Sequence, residues 1–359
     1  MEPQQLVRLF GIPDLPDRLA AVDRTIAEAL GRDGELLAPA ALRMAGSGGK
    51  GLRPLLAIVS AAVGDVFDDR VAAVAAAVEL AQVGSLVHDD ILDRATTRRG
   101  RPTINAVEGV DHAVLAGDYI LARAAALAVS VSREAGELVA ETLGVLCEGQ
   151  ALEMRDAFDP DRSVEAHLRS VHGKTAALFA CACRIGALTA GVPDRDVEAL
   201  TRYGEAFGMG FQVLDDVLDL LGDPDRLGKP TGIDIASGVY TLPVLAALDG
   251  PRGGELRRLL PASSSAGDSP PDRTEPRPQE ESATADIAAA VELVRGSGSV
   301  AVALGAMDRY GDDARQAVAH LDHTAVGQGL TAFPHTYTRW ALESFTDPHV
   351  HAEPLAGHG

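Results

Sequence analysis

The pattern Asp-Asp-x-x-Asp occurs twice in this chain, at Asp89, Asp90 and Asp93 and again at Asp215, Asp216 and Asp219, each time within a run of Ala, Val, Leu and Ile. In an α-helix residues i and i+4 share a face, so Asp89 is expected above Asp93 and Asp215 above Asp219, with Asp90 and Asp216 one step round. Like charges so spaced destabilise a helix by about 0.2–0.5 kcal/mol per pair, and Ile91, Leu92, Val217 and Leu218 draw the stripe toward a core. Something cationic has to offset the repulsion. Oxygen ligands from carboxylates suit a hard divalent ion, most simply Mg²⁺, which keeps several waters and is readily shared with substrate phosphates. One such triplet is ordinarily a solvated helix face; two in apolar settings point to metal binding.

The sequence around them is that of a mostly helical protein. Of 359 residues, 46% are apolar but only 4% aromatic, so the core is built from Ala, Leu and Val, and the Ala/Leu-rich stretches favour helix. Apolar residues recur at three- and four-residue intervals over 19–30, 53–62, 71–95, 112–131, 135–158, 164–190, 194–221, 241–247, 287–321 and 337–345, and no segment alternates as a strand would. The stretch 261–286 is rich in Pro, Ser and acidic residues and is expected to be a disordered insertion, with a second disordered stretch over 346–359. Helical periodicity resumes after the insertion, so the chain reads as a single domain over 1–359.

Met1 to Asp14 has no basic segment followed by an apolar one, and Glu79 interrupts the apolar run from Val71 short of a membrane span. The expectation is a cytoplasmic protein with no integral membrane segment. The cysteines, Cys147, Cys181 and Cys183, lie in apolar helical patterns and read as small buried hydrophobes. His88 reads as a polar group at a helix end, Asp118 as an orienting group, and His112, His167 and His172 as ordinary surface or core histidines without zinc spacing.

With 32 basic against 52 acidic residues, the formal charge of −20 argues against nucleic acid or an anionic membrane as the main partner. A polyanionic substrate would need local cations, and these occur at telling places. Lys50 and Arg53 sit in a glycine-rich turn leading into a helix, where backbone amides can approach an anion. Arg98, Arg99 and Arg101 follow the first aspartate triplet, and Lys229 follows the second. Adjacent guanidiniums can each grip a phosphate in bidentate fashion.

Gly48-Gly49-Lys50-Gly51-Leu52-Arg53-Pro54, the first triplet with Arg98-Arg99-Gly100-Arg101-Pro102-Thr103, Leu115-Ala116-Gly117-Asp118-Tyr119, Glu148-Gly149-Gln150, Gly173-Lys174-Thr175-Ala176, and Phe211-Gln212-Val213-Leu214-Asp215-Asp216 running on to Leu227-Gly228-Lys229-Pro230 follow in that order. Together they resemble the trans-isoprenyl diphosphate synthase family, the polyprenyl synthetases. The resemblance implies an isoprenoid synthase-type all-α bundle around a deep central cavity, usually a homodimer, that condenses isopentenyl diphosphate with an allylic diphosphate. By position, Asp89, Asp90, Asp93, Asp215, Asp216 and Asp219 match the family's metal ligands, for about three Mg²⁺ ions. Lys50, Arg53, Gln82 and Arg99 match its isopentenyl diphosphate pocket. Arg98, Lys174, Gln212 and Lys229 match the allylic diphosphate side, with Thr175 and Gln212 lining the reaction centre.

Two features refine the resemblance. Val239 stands where the family usually carries a diphosphate-facing lysine. Gly84, five positions before Asp89, with Ser85 and Ala81, stands where a large aromatic stops chain growth early in the family; small residues there imply an open tunnel and a product of geranylgeranyl length or longer. A class I terpene cyclase of the same fold usually replaces the second triplet with an Asn/Ser/Glu motif. A non-catalytic subunit of a heteromeric prenyltransferase tends to lose the aspartates that are present here.

Overall fold

A computed structural model gives the fold and describes residues 1–32, 35–227, 230–261 and 279–346, with side chains over 279–285 excepted. The expected all-α architecture is what the chain adopts: among the described residues the one sheet is a two-stranded hairpin, Thr97–Arg98 with Arg101–Pro102. The helices group into two compact units, Met1–Cys147 with Gly173–Gly208 and Gly311–Tyr337, and Glu148–His172 with Met209–Tyr310 and Thr338–Gly359. Each unit draws on interleaved stretches of chain, so neither is a separate sequence segment.

In the first unit the helix Asp69–Leu92 lies among the helices Leu15–Gly31, Leu52–Ala62, Val110–Val131 and Ala177–Thr189. It is apolar all round, burying residues from Val71 through Val87 on every face, as a helix at the centre of a core must. The sequence is short of aromatic residues, yet several of them meet here. Phe10, Phe179, Tyr203, Phe207, Phe333 and Tyr337 form one cluster with ring centroids 5.2–6.4 Å apart.

The expectation about membrane spans needs correction. The helices Asp69–Leu92 and Val110–Val131 are both long and apolar enough to cross a membrane, so Glu79 does not by itself cut the first one short. Their apolar character has an alternative use, since Asp69–Leu92 is largely buried by its neighbours while Val110–Val131 is largely exposed.

In the second unit the helix Gln279–Gly296 packs against Ile233–Ala236, Leu242–Leu248 and Gly253–Leu259. Its Arg295 Nε donates to the carbonyl of Leu220 at 2.7 Å, satisfying an orphan acceptor where Asp194–Leu221 ends. The helix starts inside the stretch expected to be a disordered insertion; residues 262–278, and 347–359 of the second expected disordered stretch, lie outside the described residues. Cys181 and Cys183 are buried as expected, with burial pushing their thiols up to about 11 and about 12, but Cys147 is exposed.

Candidate active site

The first aspartate motif ends a helix. Asp93 is the C-cap of Asp69–Leu92, with helical angles and its N–H donating to Asp89 O at 2.8 Å, and Arg94 follows in the left-handed region at φ 53°, so the helix ends at the third carboxylate of the stripe. Asp90, 2% exposed, receives a hydrogen bond from Arg98 Nε at 2.6 Å. Burial pushes its carboxyl up while Arg98 pulls it down.

Arg98 reaches Asp90 because the chain turns back in the hairpin, whose loop residues Arg99 and Gly100 have φ of 52° and 71°, the two positive angles of a type I′ turn. A side chain held in that region costs about 1–3 kcal/mol and must be fixed by its surroundings. Here the anchors are Thr103 Oγ1 and Asn105 Nδ2, which donate to Ala95 O at 2.8 and 2.9 Å. His88 Nε2 lies 3.5 Å from Asp118 Oδ1 and 3.3 Å from Val114 O. Its ring rests on bare backbone at Gly117, where a Cβ would come within 2.2 Å of Nε2.

The cations expected to hold one diphosphate gather in this same unit. The Arg53 guanidinium lies 4.2 Å from the Phe179 ring centroid and Lys50 Nζ 5.6 Å from that of Tyr337, so the aromatic cluster carries both on its faces. Arg99 approaches the loop at Gly49, where a Cβ would be 2.9 Å from Nη1. Glu79 joins this group. Burial pushes its carboxyl up against the pull of Arg53 and Arg99, and burial brings Arg53 down to about 10. Sequence reasoning passed over Glu79 as a break in an apolar run, yet an isolated carboxylate one turn before Gln82 was the available signal. Lys174 and the buried Thr175 lie in a π-helical turn, His172–Ala176, that interrupts the continuous helix expected over 164–190. Such turns recur at functional sites.

The second motif stays within its helix, Asp194–Leu221. Asp216 and Asp219 are buried and Asp215 is half-buried. Gln212 Nε2 donates to Asp216 Oδ1 at 3.0 Å, and His167 Nε2 lies 3.6 Å from Asp216 Oδ2. Asp219 Oδ2 accepts the backbone N–H of Asp234 at 3.2 Å. Lys229 lies outside the described residues.

No three His, Cys, Asp or Glu side chains among the described residues converge as a ready-made metal cage. The stacked triplets expected from spacing are therefore not closed sites. A carboxylate set that closes no cage of its own and includes no thiolate fits an ion that takes its remaining ligands from water and phosphate, as Mg²⁺ does.

The family model described as polyprenyl synthetase matches residues 35–268, which span both motifs and the cation loops. The chain belongs to the polyprenyl synthetase family. Heptaprenyl diphosphate synthase component 2 of Geobacillus stearothermophilus is 35% identical over 301 residues, covering 84% of this chain and 88% of the relative. Nonaprenyl diphosphate synthase of Mycobacterium tuberculosis is 35% identical over 317 residues, covering 88% and 90%. Among solved structures, polyprenyl synthase from Caulobacter crescentus in complex with calcium and isoprenyl diphosphate superposes with a TM-score of 0.80 at 33% identity, covering 93% of this chain and 97% of that one. The fold is the all-α isoprenoid synthase fold.

Two positions read against the polyprenyl synthetase pattern now have surroundings. Val239 is half-buried and its N–H donates to Asp234 O at 2.8 Å, which ties it to the segment that Asp219 holds. Gly84 and Ala81 are buried, and Gly84 faces Leu121: a Cβ at Gly84 would come within 2.6 Å of Leu121 Cδ2. The space that small residues imply beside the first motif is thus taken by a side chain from the helix Val110–Val131, with Ser85 left half-buried next to it.

Proposed function

We propose that the chain is a Mg²⁺-dependent trans-prenyltransferase that joins isopentenyl diphosphate to an allylic diphosphate and releases a polyprenyl diphosphate of geranylgeranyl length or longer. The reading is carried by the doubled aspartate motif with a buried carboxylate in each copy. The geranylgeranyl, heptaprenyl, octaprenyl and nonaprenyl products named for the relatives support its length range.

Metal ions bound at the two motifs would supply charge neutralisation for the departing diphosphate. The chain's own residues do the rest. Lys50, Arg53 and Arg99 bind the diphosphate of the isopentenyl substrate, and the aromatic faces beneath Lys50 and Arg53 fix where their charges point. Arg98, Lys174 and Lys229 hold the allylic diphosphate. The allylic C–O bond breaks, its electron pair leaving with diphosphate. The new C–C bond then forms from the isopentenyl double bond, and the proton lost from the adjacent carbon goes to the released diphosphate. Thr175 and Gln212 offer dipoles to the developing cation.

The working form we propose is a cytoplasmic homodimer. Val114, Leu115, Ala122, Ala126 and Val129 form an exposed stripe on Val110–Val131 that a second copy would cover. One relative's name, component 2 of a heptaprenyl synthase, favours a second reading in which a different subunit completes the enzyme. Incubation of the purified chain with labelled isopentenyl diphosphate, Mg²⁺ and each allylic primer in turn, followed by chain-length analysis, separates the two. Product from the chain alone rules out the need for a different subunit, with the homodimer itself read from the mass in solution, and no product without an added partner supports the second reading.

A further inference from the structure

His167 has no part in the chemistry so far. It lies on the helix Val164–Val171 with a side chain 4% exposed, and Asp216, whose side chain is 2% exposed, faces its Nε2 at 3.6 Å. Neither ring nitrogen of His167 has a hydrogen-bond partner, and Oδ2 of Asp216 has none either. Buried polar atoms without partners are costly, roughly 1–3 kcal/mol each, so two that face each other just beyond bonding distance call for a reason. The proton belongs on Nε2, because the opposite tautomer would set a lone pair against the carboxylate and leave the Nδ1 proton buried without an acceptor.

The backbone that carries the ring is held by a polar group one turn on. Ser170 Oγ donates to His167 O at 2.8 Å, and the Arg162 guanidinium donates to Ser170 Oγ. Arg162 is itself buried, with Nε 3.5 Å from Asp156 Oδ2. That loop is closed where Phe158, at φ 62°, donates its N–H to Gly238 O at 2.8 Å and lies on Gly238 with no room for a Cβ. Contacts therefore run from half-buried Asp156 through Arg162 and Ser170 to the His167 backbone, while the His167 ring faces Asp216. Asp216 has Gln212 on its other oxygen.

We infer that His167 is a positioning residue for Asp216: with Gln212 fixing Oδ1, the imidazole fixes Oδ2 and holds the carboxylate in the orientation that a divalent cation and a diphosphate require. The inference rests on the reading of Asp216 as a metal ligand. Groups behind a ligating carboxylate restrict its rotamers and tune its basicity, and their loss costs about 10- to 100-fold in metal affinity. On this inference the 3.6 Å gap closes when the site loads.

The test compares His167→Phe and His167→Met, which fill the space without a nitrogen, with His167→Gln, whose amide can reach Oδ2. Mn²⁺ binding is followed by electron paramagnetic resonance in the presence of an allylic thiodiphosphate, beside thermal melts and turnover. The apolar variants should bind Mn²⁺ about tenfold more weakly or worse, with little change in melting temperature, while His167→Gln recovers most of the affinity. In an Asp216→Asn background His167→Phe should have no further effect. Unchanged Mn²⁺ affinity in the apolar variants, equal weakening in all three, additivity with Asp216→Asn, or unfolding of both apolar variants would each overturn the inference. Failure of the wild type to bind Mn²⁺ would instead overturn the reading of Asp216 as a ligand.

Discussion

The two aspartate motifs share one spelling and differ in nearly everything around it. The first lies at a helix terminus, with its third carboxylate at the C-cap, and has its buried Asp90 matched by the full charge of Arg98 at 2.6 Å. The second stays helical, buries both Asp216 and Asp219, and meets them with an amide from Gln212, the ring of His167 and the backbone N–H of Asp234. A guanidinium on a carboxylate is worth roughly twice a neutral hydrogen bond. Asp90 thus meets a full opposite charge within the fold, whereas Asp216 meets an amide and an imidazole. The repeated pattern specifies a ligand chemistry, and the environment decides how far each copy depends on the ligand.

The largest effects should come from removing one outer carboxylate in each motif. Asp89→Ala and Asp215→Ala should each lower turnover by about 10²–10³-fold, the scale of losing one electrostatic contact to the departing group. Melting temperature should hold or rise slightly as like-charge repulsion is relieved. If the comparison is right, Mg²⁺ with diphosphate should raise the wild-type melting temperature, and Asp215→Ala should lose more of that rise than Asp89→Ala. Equal loss in the two variants breaks the comparison, and loss of folding together with activity would mark the carboxylates as structural.

Next in size is Arg98→Met. It leaves Asp90 buried without its partner, at a cost of about 1–3 kcal/mol near neutral pH. The sign of the pH dependence follows from Asp90. Its carboxyl is already pushed above its ordinary value by burial, and without Arg98 it rises further. A carboxyl raised in the folded state contributes stability that is present at low pH and lost as pH rises through the raised value. The deficit of Arg98→Met should therefore be small near pH 4 and grow toward pH 7 in melts taken across that range. A deficit independent of pH would show that Arg98 contributes packing and not charge.

Much of this contrast is invisible in the sequence, for a physical reason. Spacing reports what lies on one face of one element, which is why both triplets, the Lys50/Arg53 turn and the arginine run could be read directly. Partners brought in by the fold cannot be read that way. Arg98 meets Asp90 only because Arg99 and Gly100 take left-handed angles, and His167 read as an ordinary histidine until Asp216 was placed beside it. Small residues at Ala81 and Gly84 signal space, but whether it stays empty depends on Leu121 of another helix. Periodicity also runs through the π-helical turn at Lys174, and the helix expected over 337–345 begins at Ala325 and continues through Pro334.

A smaller effect asks whether burial or pairing decides the charge of Glu79 in the first motif's unit. Glu79 is the carboxylate among Arg53 and Arg99, and burial raises it from the ordinary 4.5 despite both. Its contribution to stability is present below that value and lost as pH rises through the raised one, so the ionised form is the costly one in the fold. Glu79→Gln removes the ionisation. The variant should melt about 1–2 °C above wild type at pH 8, and the two should converge near pH 4. A variant less stable than wild type at pH 8 would mean that pairing with the arginines outweighs burial.

The smallest expected effect adds to the second motif what the first already has. Val239 is linked through Asp234 to Asp219, by Val239 N to Asp234 O at 2.8 Å and Asp234 N to Asp219 Oδ2 at 3.2 Å. The position is half-buried and the family usually places a lysine there, so Val239→Lys puts a cation on the segment tied to the second motif. A partly exposed charge pair is worth up to about 1 kcal/mol, so the apparent affinity for the allylic primer should tighten by no more than about fivefold, and product length should stay the same. Raising ionic strength should erase part of the gain, because an exposed pair is screened while buried contacts such as Gln212 with Asp216 are not. Unchanged primer affinity at low salt would show that this segment does not face the diphosphate and that the second motif's charge is met elsewhere.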